Sequence, residues 1–150
     1  MISKILVPTD GSETTKKATE YAVGLAKQIG ASLTLLAVID KSPFIDQSVP
    51  SVATPTHLME PLEDYLRQAA EAYLEDAERL CKKKGVQSKK VIRAGHPVEE
   101  IIEEAEKSKV DLIIMGSHGK SAVKAAVLGS VTYGVIHKET QVPVLIVRRG

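Results

Sequence analysis

The sequence contains few of the residues that build an aromatic core or a disulfide-bonded domain. Its 150 residues include no tryptophan, one phenylalanine and a single cysteine, Cys81, and aromatic residues make up 3% of the chain. One cysteine excludes an intramolecular disulfide and a thiolate metal cluster. The core must therefore be built from aliphatic side chains, and we expect the Cys81 thiol to be buried and inert.

The sequence also lacks an excess of charge of either sign. It has 20 Lys and Arg against 19 Asp and Glu, for a net charge of +1. This balance gives no electrostatic footprint for nucleic acid or for an anionic membrane, so neither is expected as a partner. No apolar run is long enough for a membrane span or a signal-peptide core. We expect a cytoplasmic protein with one domain over residues 1–150.

Short apolar runs alternate with longer amphipathic stretches, and this alternation predicts the order of strands and helices. The predicted strands are Lys4 to Val7, Leu33 to Val38, Lys90 to Arg93, Leu112 to Met115 and Val142 to Val147. The predicted helices are Ser12 to Ile29, Met59 to Lys84, one that starts at Pro97, and Ser130 to Lys138. This order indicates an α/β domain with an open parallel sheet, helices on both faces and ligands at the carboxyl ends of the strands.

The spacing of apolar residues predicts which side of each helix faces the core. The predicted inward stripe of the longest helix is Leu62, Tyr65, Leu66, Ala69, Tyr73, Ala77, Leu80 and Cys81. The first helix is predicted to bury Ala18, Ala22, Leu25, Ala26 and Ile29, and to end at Gly30. Between these helices, Lys41 to His57 has no period and three prolines, which is typical of either a flap beside the ligand or a variable insertion.

Three glycines and a serine form the most informative pattern. Gly116 and Gly119 bracket a turn directly after the fourth strand, and Gly129 and Ser130 stand immediately before a helix. Backbone N–H groups unobstructed by Cβ atoms, with a helix N-terminus behind them, favour a phosphate, and Ser130 is the expected N-cap. The structural alternative is that the glycines only shape a turn and cap a helix.

Two better-known nucleotide motifs are missing. Gly119, Lys120 and Ser121 read like the tail of a P-loop, but the glycine that a P-loop needs five residues earlier is replaced by Ile114. The first turn between a strand and a helix, Pro8 to Ser12, lacks the G-x-G-x-x-G of a dinucleotide fold.

With these residues in place, the chain resembles the ATP-binding branch of the universal stress proteins. The branch pattern G-x2-G-x9-G-(S/T) is matched at Gly116, Gly119, Gly129 and Ser130. The opening ILVPTDGSE, the turn at Gly95, the segment VDLIIMGSHG and the closing VPVLIVRR also look like the family. The resemblance implies an adenine nucleotide alpha-hydrolase-like fold with the strand order 3-2-1-4-5.

The resemblance also implies the nucleotide contacts. ATP, or ADP or AMP, would lie against Pro8, Thr9, Asp10, Val38, Gly95, Met115, Gly116, Gly119, Gly129, Ser130 and Val131. Asp10 would bond the ribose hydroxyls; the alternative is that it only supports the start of the next helix. Mg²⁺ would arrive on the nucleotide phosphates, without a dedicated protein site.

Other polar residues carry weaker signals. Lys120 could neutralise a phosphate and His118 could act as an acid or base, but a solvated lysine and a turn histidine are the plainer interpretations. His57, His96 and His137 show no metal-ligand spacing with one another or with Cys81, so no zinc site is predicted.

Three functions remain open from the sequence. The favoured one is a nucleotide-binding module that signals to an unknown protein partner during stress. The others are a slow Mg²⁺-dependent ATPase or phosphotransferase and a dimeric scaffold that binds no nucleotide. In each case the family's strand order leaves Val142 to Val147 at a sheet edge, which predicts a homodimer paired through that strand.

Overall fold

The computed structural model contains one sheet of five parallel strands, β1 (Lys4–Pro8), β2 (Ser32–Ile39), β3 (Ser88–Ala94), β4 (Leu112–Gly116) and β5 (Val144–Val147). Their order across the sheet is β3-β2-β1-β4-β5. The helices are α1 (Glu13–Ile29), α2 (Thr56–Lys84), α3 (Pro97–Lys107) and α4 (Ser130–His137). The structure describes residues 1–42, 56–118, 128–138 and 141–148, without the side chains of 56–59. The predicted fold class and strand order are confirmed.

β1 lies at the centre of the sheet, and the positions of its two neighbours indicate which edge of the sheet would bind a ligand. Pro8 at the end of β1 stands opposite Leu36 of β2, and Leu6 stands opposite Ile113 of β4. Because β2 lies on one side of β1 and β4 on the other, the strand order reverses between β1 and β4. Parallel α/β sheets bind ligands at such a switch point.

Two aliphatic clusters form the core, one on each face of the sheet. On one face, Ile5, Val7 and Ile114 pack with α1 and α2, and on the other, Leu6 and Ile113 pack with α3 and α4. The alternation of buried side chains along each strand assigns them to the two faces. The first helix buries its predicted alanines, Ala18, Ala22 and Ala26, but not Ile29, which ends α1 and is 44% exposed.

The ends of the elements differ from the predictions by one to three residues. α2 begins at Thr56 rather than Met59, with Pro61 inside the helix. β5 begins at Val144 rather than Val142. Gly30 adopts the left-handed backbone expected of a glycine after a helix, with φ 74°. Much of the predicted flap, residues 43–55, lies outside the described residues.

The inward stripe of α2 is rotated from the predicted one. The buried residues are Ala70, Leu74, Ala77 and Cys81, a spacing of four, three and four that follows the helical period. Tyr65, predicted to face inward, is 68% exposed, because it lies on the outer side of this stripe. Leu66, Ala69 and Tyr73 line a cavity at the edge of the sheet, and Tyr73 also packs against the core as predicted.

Candidate functional site

A cavity of about 540 Å³ opens at the carboxyl ends of β1, β2 and β4. The turn after β1 contributes Pro8, Thr9 and Asp10 to its lining. Its walls come from both faces of the sheet, with α2 and Thr15 of α1 on one side and α3 and the start of α4 on the other. The volume lies within the range of small-ligand sites, about 300–1,000 Å³.

The turn between β1 and α1 is held by side-chain hydrogen bonds. The Ser12 hydroxyl caps α1 by accepting from the Thr15 amide. The Asp10 carboxylate Oδ1 accepts from the Ser12 amide at 2.9 Å and from the Thr15 hydroxyl at 3.1 Å. Asp10 therefore does support the start of the helix, and it lines the cavity as well.

Tyr73 of α2 packs against this turn. Gly11 has φ 81°, and a Cβ there would lie 2.9 Å from Tyr73 Cδ2, so a side chain at this position would be both strained and in collision with the ring. Burial, and then the negative charge of Asp10, raise the pKa of the Tyr73 phenol to about 12. Tyr73 is therefore a neutral hydroxyl on the cavity wall at physiological pH.

The end of β2 offers backbone groups to the cavity. Leu36 O accepts from Thr9 N at 2.8 Å on the β1 side, and Ile39 O accepts from Gly95 N at 3.0 Å on the β3 side. Since backbone groups alternate along a strand, Val38 directs its N–H and C=O toward the β1 side. β1 has ended at Pro8, and no other described strand lies opposite Val38 there. One donor and one acceptor are therefore left at the cavity edge.

α4 begins on the opposite side of the cavity. Gly129 is its N-cap, in an extended conformation and without a side-chain cap, and the first helical bond runs from Tyr133 N to Gly129 O. The N–H groups of Ser130, Val131 and Thr132 therefore have no acceptor within the helix. The helix dipole places partial positive charge at this end, which favours an anion.

Two expectations about this helix start were wrong. Ser130 is not the N-cap, because the extended residue that precedes the helix is Gly129. Nor is the Gly129 N–H directed at a ligand, because it donates to Ser117 O at 2.7 Å. The donors that remain at the cavity belong to the next residues of the helix.

Gly116 has a packing reason to be glycine. A Cβ at this position would lie 2.9 Å from Thr14 Cγ2 and 3.0 Å from Thr14 O, so β4 approaches the first turn of α1 too closely for a side chain. The Gly116 carbonyl also accepts from the Thr132 hydroxyl at 2.9 Å, which ties β4 to α4. For Gly116, the structural alternative therefore accounts for the residue without a ligand.

The sequence matches the universal stress protein family over residues 1–148. The chain belongs to the universal stress protein family. It is 37% identical over 157 aligned residues to the universal stress protein MJ0577 of Methanocaldococcus jannaschii, covering 99% of this chain and 96% of that protein. The solved structure of MJ0577 has a TM-score of 0.86 to this fold, covering 100% of this chain and 98% of that one. Universal stress protein YxiE of Bacillus subtilis is 36% identical over 149 residues, covering 99% of this chain and 100% of YxiE.

In this universal stress protein, the cavity brings together most of the predicted site residues. Its lining includes Pro8, Thr9, Asp10, Val38, Met115, Gly116, Gly129, Ser130 and Val131. Gly119 and Lys120 lie outside the described residues. Gly95 is not part of the lining: it forms the turn after β3 with φ 147°, and a Cβ there would lie 2.7 Å from Glu100 Oε2. Its neighbours His96 and Pro97 reach the cavity instead.

Several lining residues were not selected from the sequence. Leu66, Ala69 and Tyr73 were assigned to the core. All three line the cavity at the ligand edge, and Tyr73 also packs against the core. His118, interpreted as a plain turn histidine, is 7% exposed and lines the cavity, with Nδ1 2.9 Å from the Ser117 hydroxyl. The sequence did not identify the Thr15 and Thr132 hydroxyls as part of the site, because their hydrogen-bond partners are brought close only by tertiary contacts.

The described part of the chain contains neither a metal-binding cluster nor a helix that could span a membrane. No group of three or more His, Cys, Asp or Glu side chains is arranged there to hold a metal ion. None of the helices described has both the length and the hydropathy that a membrane crossing requires.

Proposed function

We propose that residues 1–150 form a nucleotide-binding domain whose cavity takes ATP or a closely related adenine nucleotide, and that its occupancy signals to a protein partner in the stress response. One observation carries the proposal: among the described residues, the cavity has a helix start without a side-chain cap at one side and strand backbone without a strand partner at the other. A nucleotide has an anionic end and a hydrogen-bonding base, and the two sides of the cavity match these two ends.

The start of α4 is the proposed phosphate subsite. The amides of Ser130 and Val131 have no acceptor within the helix, and both residues line the cavity. Phosphate oxygens accept such N–H groups well, and the helix dipole adds to the attraction. The Ser130 hydroxyl supplies one more donor at the same place.

The end of β2 is the proposed adenine subsite. Adenine presents an amino donor next to a ring-nitrogen acceptor, and Val38 presents a backbone acceptor and donor on the side where β1 has ended. Leu36, Val38 and Met115 provide apolar walls for the ring. Guanine presents the opposite pattern at this edge, so the backbone of Val38 should select adenine.

Asp10 and Thr9 lie between these subsites, where the sugar of the nucleotide would sit. Bound Mg²⁺ would be held by the phosphates and water, with Asp10 as a nearby carboxylate. Universal stress proteins solved with cAMP, at 24% identity and TM-score 0.68, and with AMP, from Arabidopsis thaliana at 19% and 0.67, share the fold with this chain. At that identity the likeness supports the fold alone, so the proposal rests on this chain's own site.

Calorimetry with ATP, GTP, ADP and AMP in the presence of Mg²⁺ tests the proposal. We expect ATP to bind and GTP to bind at least about tenfold more weakly, because the Val38 pair would be mismatched. Gly129→Val should abolish binding while the protein stays folded, since φ −68° and ψ 157° suit any residue. Gly24→Val is the matched control, because Gly24 lies on the exposed side of α1 with nothing within 4 Å of an added Cβ. No binding to the wild-type protein, or equal binding to the Gly129 variant, would refute the proposal.

A further inference from the structure

The Asp10 carboxylate stands at the end of a chain of hydroxyl groups. The Gly11 amide donates to Thr9 Oγ1 at 3.3 Å, and Thr9 Oγ1 donates to Thr15 Oγ1 at 3.1 Å. Thr15 Oγ1 in turn donates to Asp10 Oδ1 at 3.1 Å. Each group donates its hydrogen bond in the same direction, toward the carboxylate.

The direction of this chain follows from the number of protons available. The Thr15 hydroxyl lies 3.1 Å from Asp10 Oδ1 and 3.0 Å from Ser12 O, and it has one proton to donate. A carboxylate is the stronger acceptor of the two, because a hydrogen bond to an ionised group is about twice as strong as a neutral one. The Thr9 hydroxyl donates into Thr15 and strengthens that donation, as hydrogen bonds in series do in a buried setting.

The two threonine hydroxyls are shielded from water, so their hydrogen bonds can hold the carboxylate in place. Thr9 is 9% exposed and Thr15 8% exposed, so water competes little for their hydroxyls. A second donor, the Ser12 amide, meets the same carboxylate oxygen at 2.9 Å. Two donors on one oxygen fix the plane of the carboxyl group, where a single donor would let it swing.

We propose that Thr15 is a positioning residue, whose hydroxyl, supported by Thr9, holds the Asp10 carboxylate in the orientation that recognises the ribose hydroxyls of the nucleotide. This inference rests on the proposed nucleotide site and adds a specificity determinant to it. It makes ribose selectivity depend on a threonine inside α1 as well as on Asp10 itself. A nucleotide that lacks both ribose hydroxyls should gain no affinity from the oriented Asp10 carboxylate.

The chain provides a variant, a rescue and a matched control. Thr15→Val removes the hydroxyl at nearly constant shape, and Thr15→Ser restores it. Thr19→Val is the control, because Thr19 is 4% exposed in the same helix and its hydroxyl donates to the Thr15 carbonyl at 2.9 Å without reaching Asp10. All three proteins should be checked for a cooperative thermal transition.

The test compares the dissociation constants of ATP and 2′,3′-dideoxy-ATP by calorimetry. The wild-type protein and Thr19→Val should bind ATP about tenfold more tightly than the dideoxy analogue. Thr15→Val should reduce this ratio to within about twofold by weakening ATP alone, and Thr15→Ser should restore it. A Thr15→Val protein that keeps the wild-type ratio, or loses both ligands equally, overturns the inference while the proposed function stands.

A measurement without ligand separates this inference from the proposed function. Hydrogen exchange of the Ser12 amide reports whether Asp10 still accepts from it. We expect exchange about tenfold faster in Thr15→Val than in the wild type or Thr19→Val. Unchanged exchange overturns the positioning role whatever the calorimetry shows, and a wild-type protein that binds neither nucleotide overturns the proposed function and, with it, the role in ribose selection.

Discussion

Replacing Gly116 by alanine tests how closely β4 packs on the first turn of α1. The added Cβ would lie 2.9 Å from Thr14 Cγ2, 3.0 Å from Thr14 O and 3.2 Å from Thr14 C. Two of these atoms are backbone, so no change of rotamer removes the collision. Overpacking of this kind costs about 1–3 kcal/mol, and in a domain of this size about 2 kcal/mol lowers the melting temperature by roughly 4–8 °C.

The assay is thermal unfolding of matched variants followed by circular dichroism. Gly24→Ala should change stability in the opposite direction, by about +1 kcal/mol, because it replaces an exposed helical glycine with nothing within 4 Å of the new Cβ. Adding Thr14→Ser to Gly116→Ala should recover only part of the loss, since the contact with the Thr14 carbonyl remains. A Gly116→Ala protein as stable as the wild type would refute the packing explanation of this glycine.

Three further predictions concern other parts of the molecule. Arg93→Leu should lower the free energy of unfolding by about 3 kcal/mol in urea unfolding, because it leaves the Glu104 side chain, which is 5% exposed, without its guanidinium partner. The control is the exposed ion pair of Arg79 and Asp76, where Arg79→Leu should cost under about 1 kcal/mol. The pKa of Tyr73 is about 12 in the native protein and about 10 when unfolded, so the native state holds its proton longer and stability should fall as pH rises from 10 to 12. Tyr73→Phe should flatten that fall, and ultraviolet titration should lose a tyrosine step near pH 12; an unchanged profile would contradict the assignment. Light scattering at micromolar concentration should give the mass of a homodimer paired through the C-terminal strand, and a monomer would contradict that prediction.

The sheet was predictable because its strands carry a signal that does not depend on context. Runs such as Leu112 to Met115 are apolar on both sides, as only a strand covered by helices on both faces requires. Helix ends were also marked locally, as Gly30 shows with its left-handed backbone. The strand order itself came from the family resemblance and not from these patterns.

The buried face of α2 could not be predicted as well. Apolar residues occur on more than one side of this helix. Leu66 lines the cavity, Leu74 and Cys81 are buried in the core, and Tyr73 contacts both. The spacing of apolar residues does not distinguish a helix face that lines a ligand cavity from one that packs against other side chains. Burial separates them only once the helix has been placed on the sheet.

The glycine pattern includes residues that line the cavity, but the reasons given for its glycines were only partly right. Gly116 has no room for a Cβ beside Thr14, and the Gly129 amide donates to Ser117 O instead of being left bare for a phosphate. The hydroxyl chain through Thr9 and Thr15 was not visible at all, since its partners are defined by where the turn after β1 meets α1.

In the proposed site, the start of α4 binds the phosphates of a nucleotide and the end of β2 binds its base. The decisive experiment is a crystal structure of the protein grown with ATP and Mg²⁺. We expect adenine hydrogen-bonded to the Val38 backbone and phosphate oxygens on the Ser130 and Val131 amides. A cavity empty at saturating ATP, or a nucleotide bound in the reverse direction or elsewhere on the surface, would contradict this expectation.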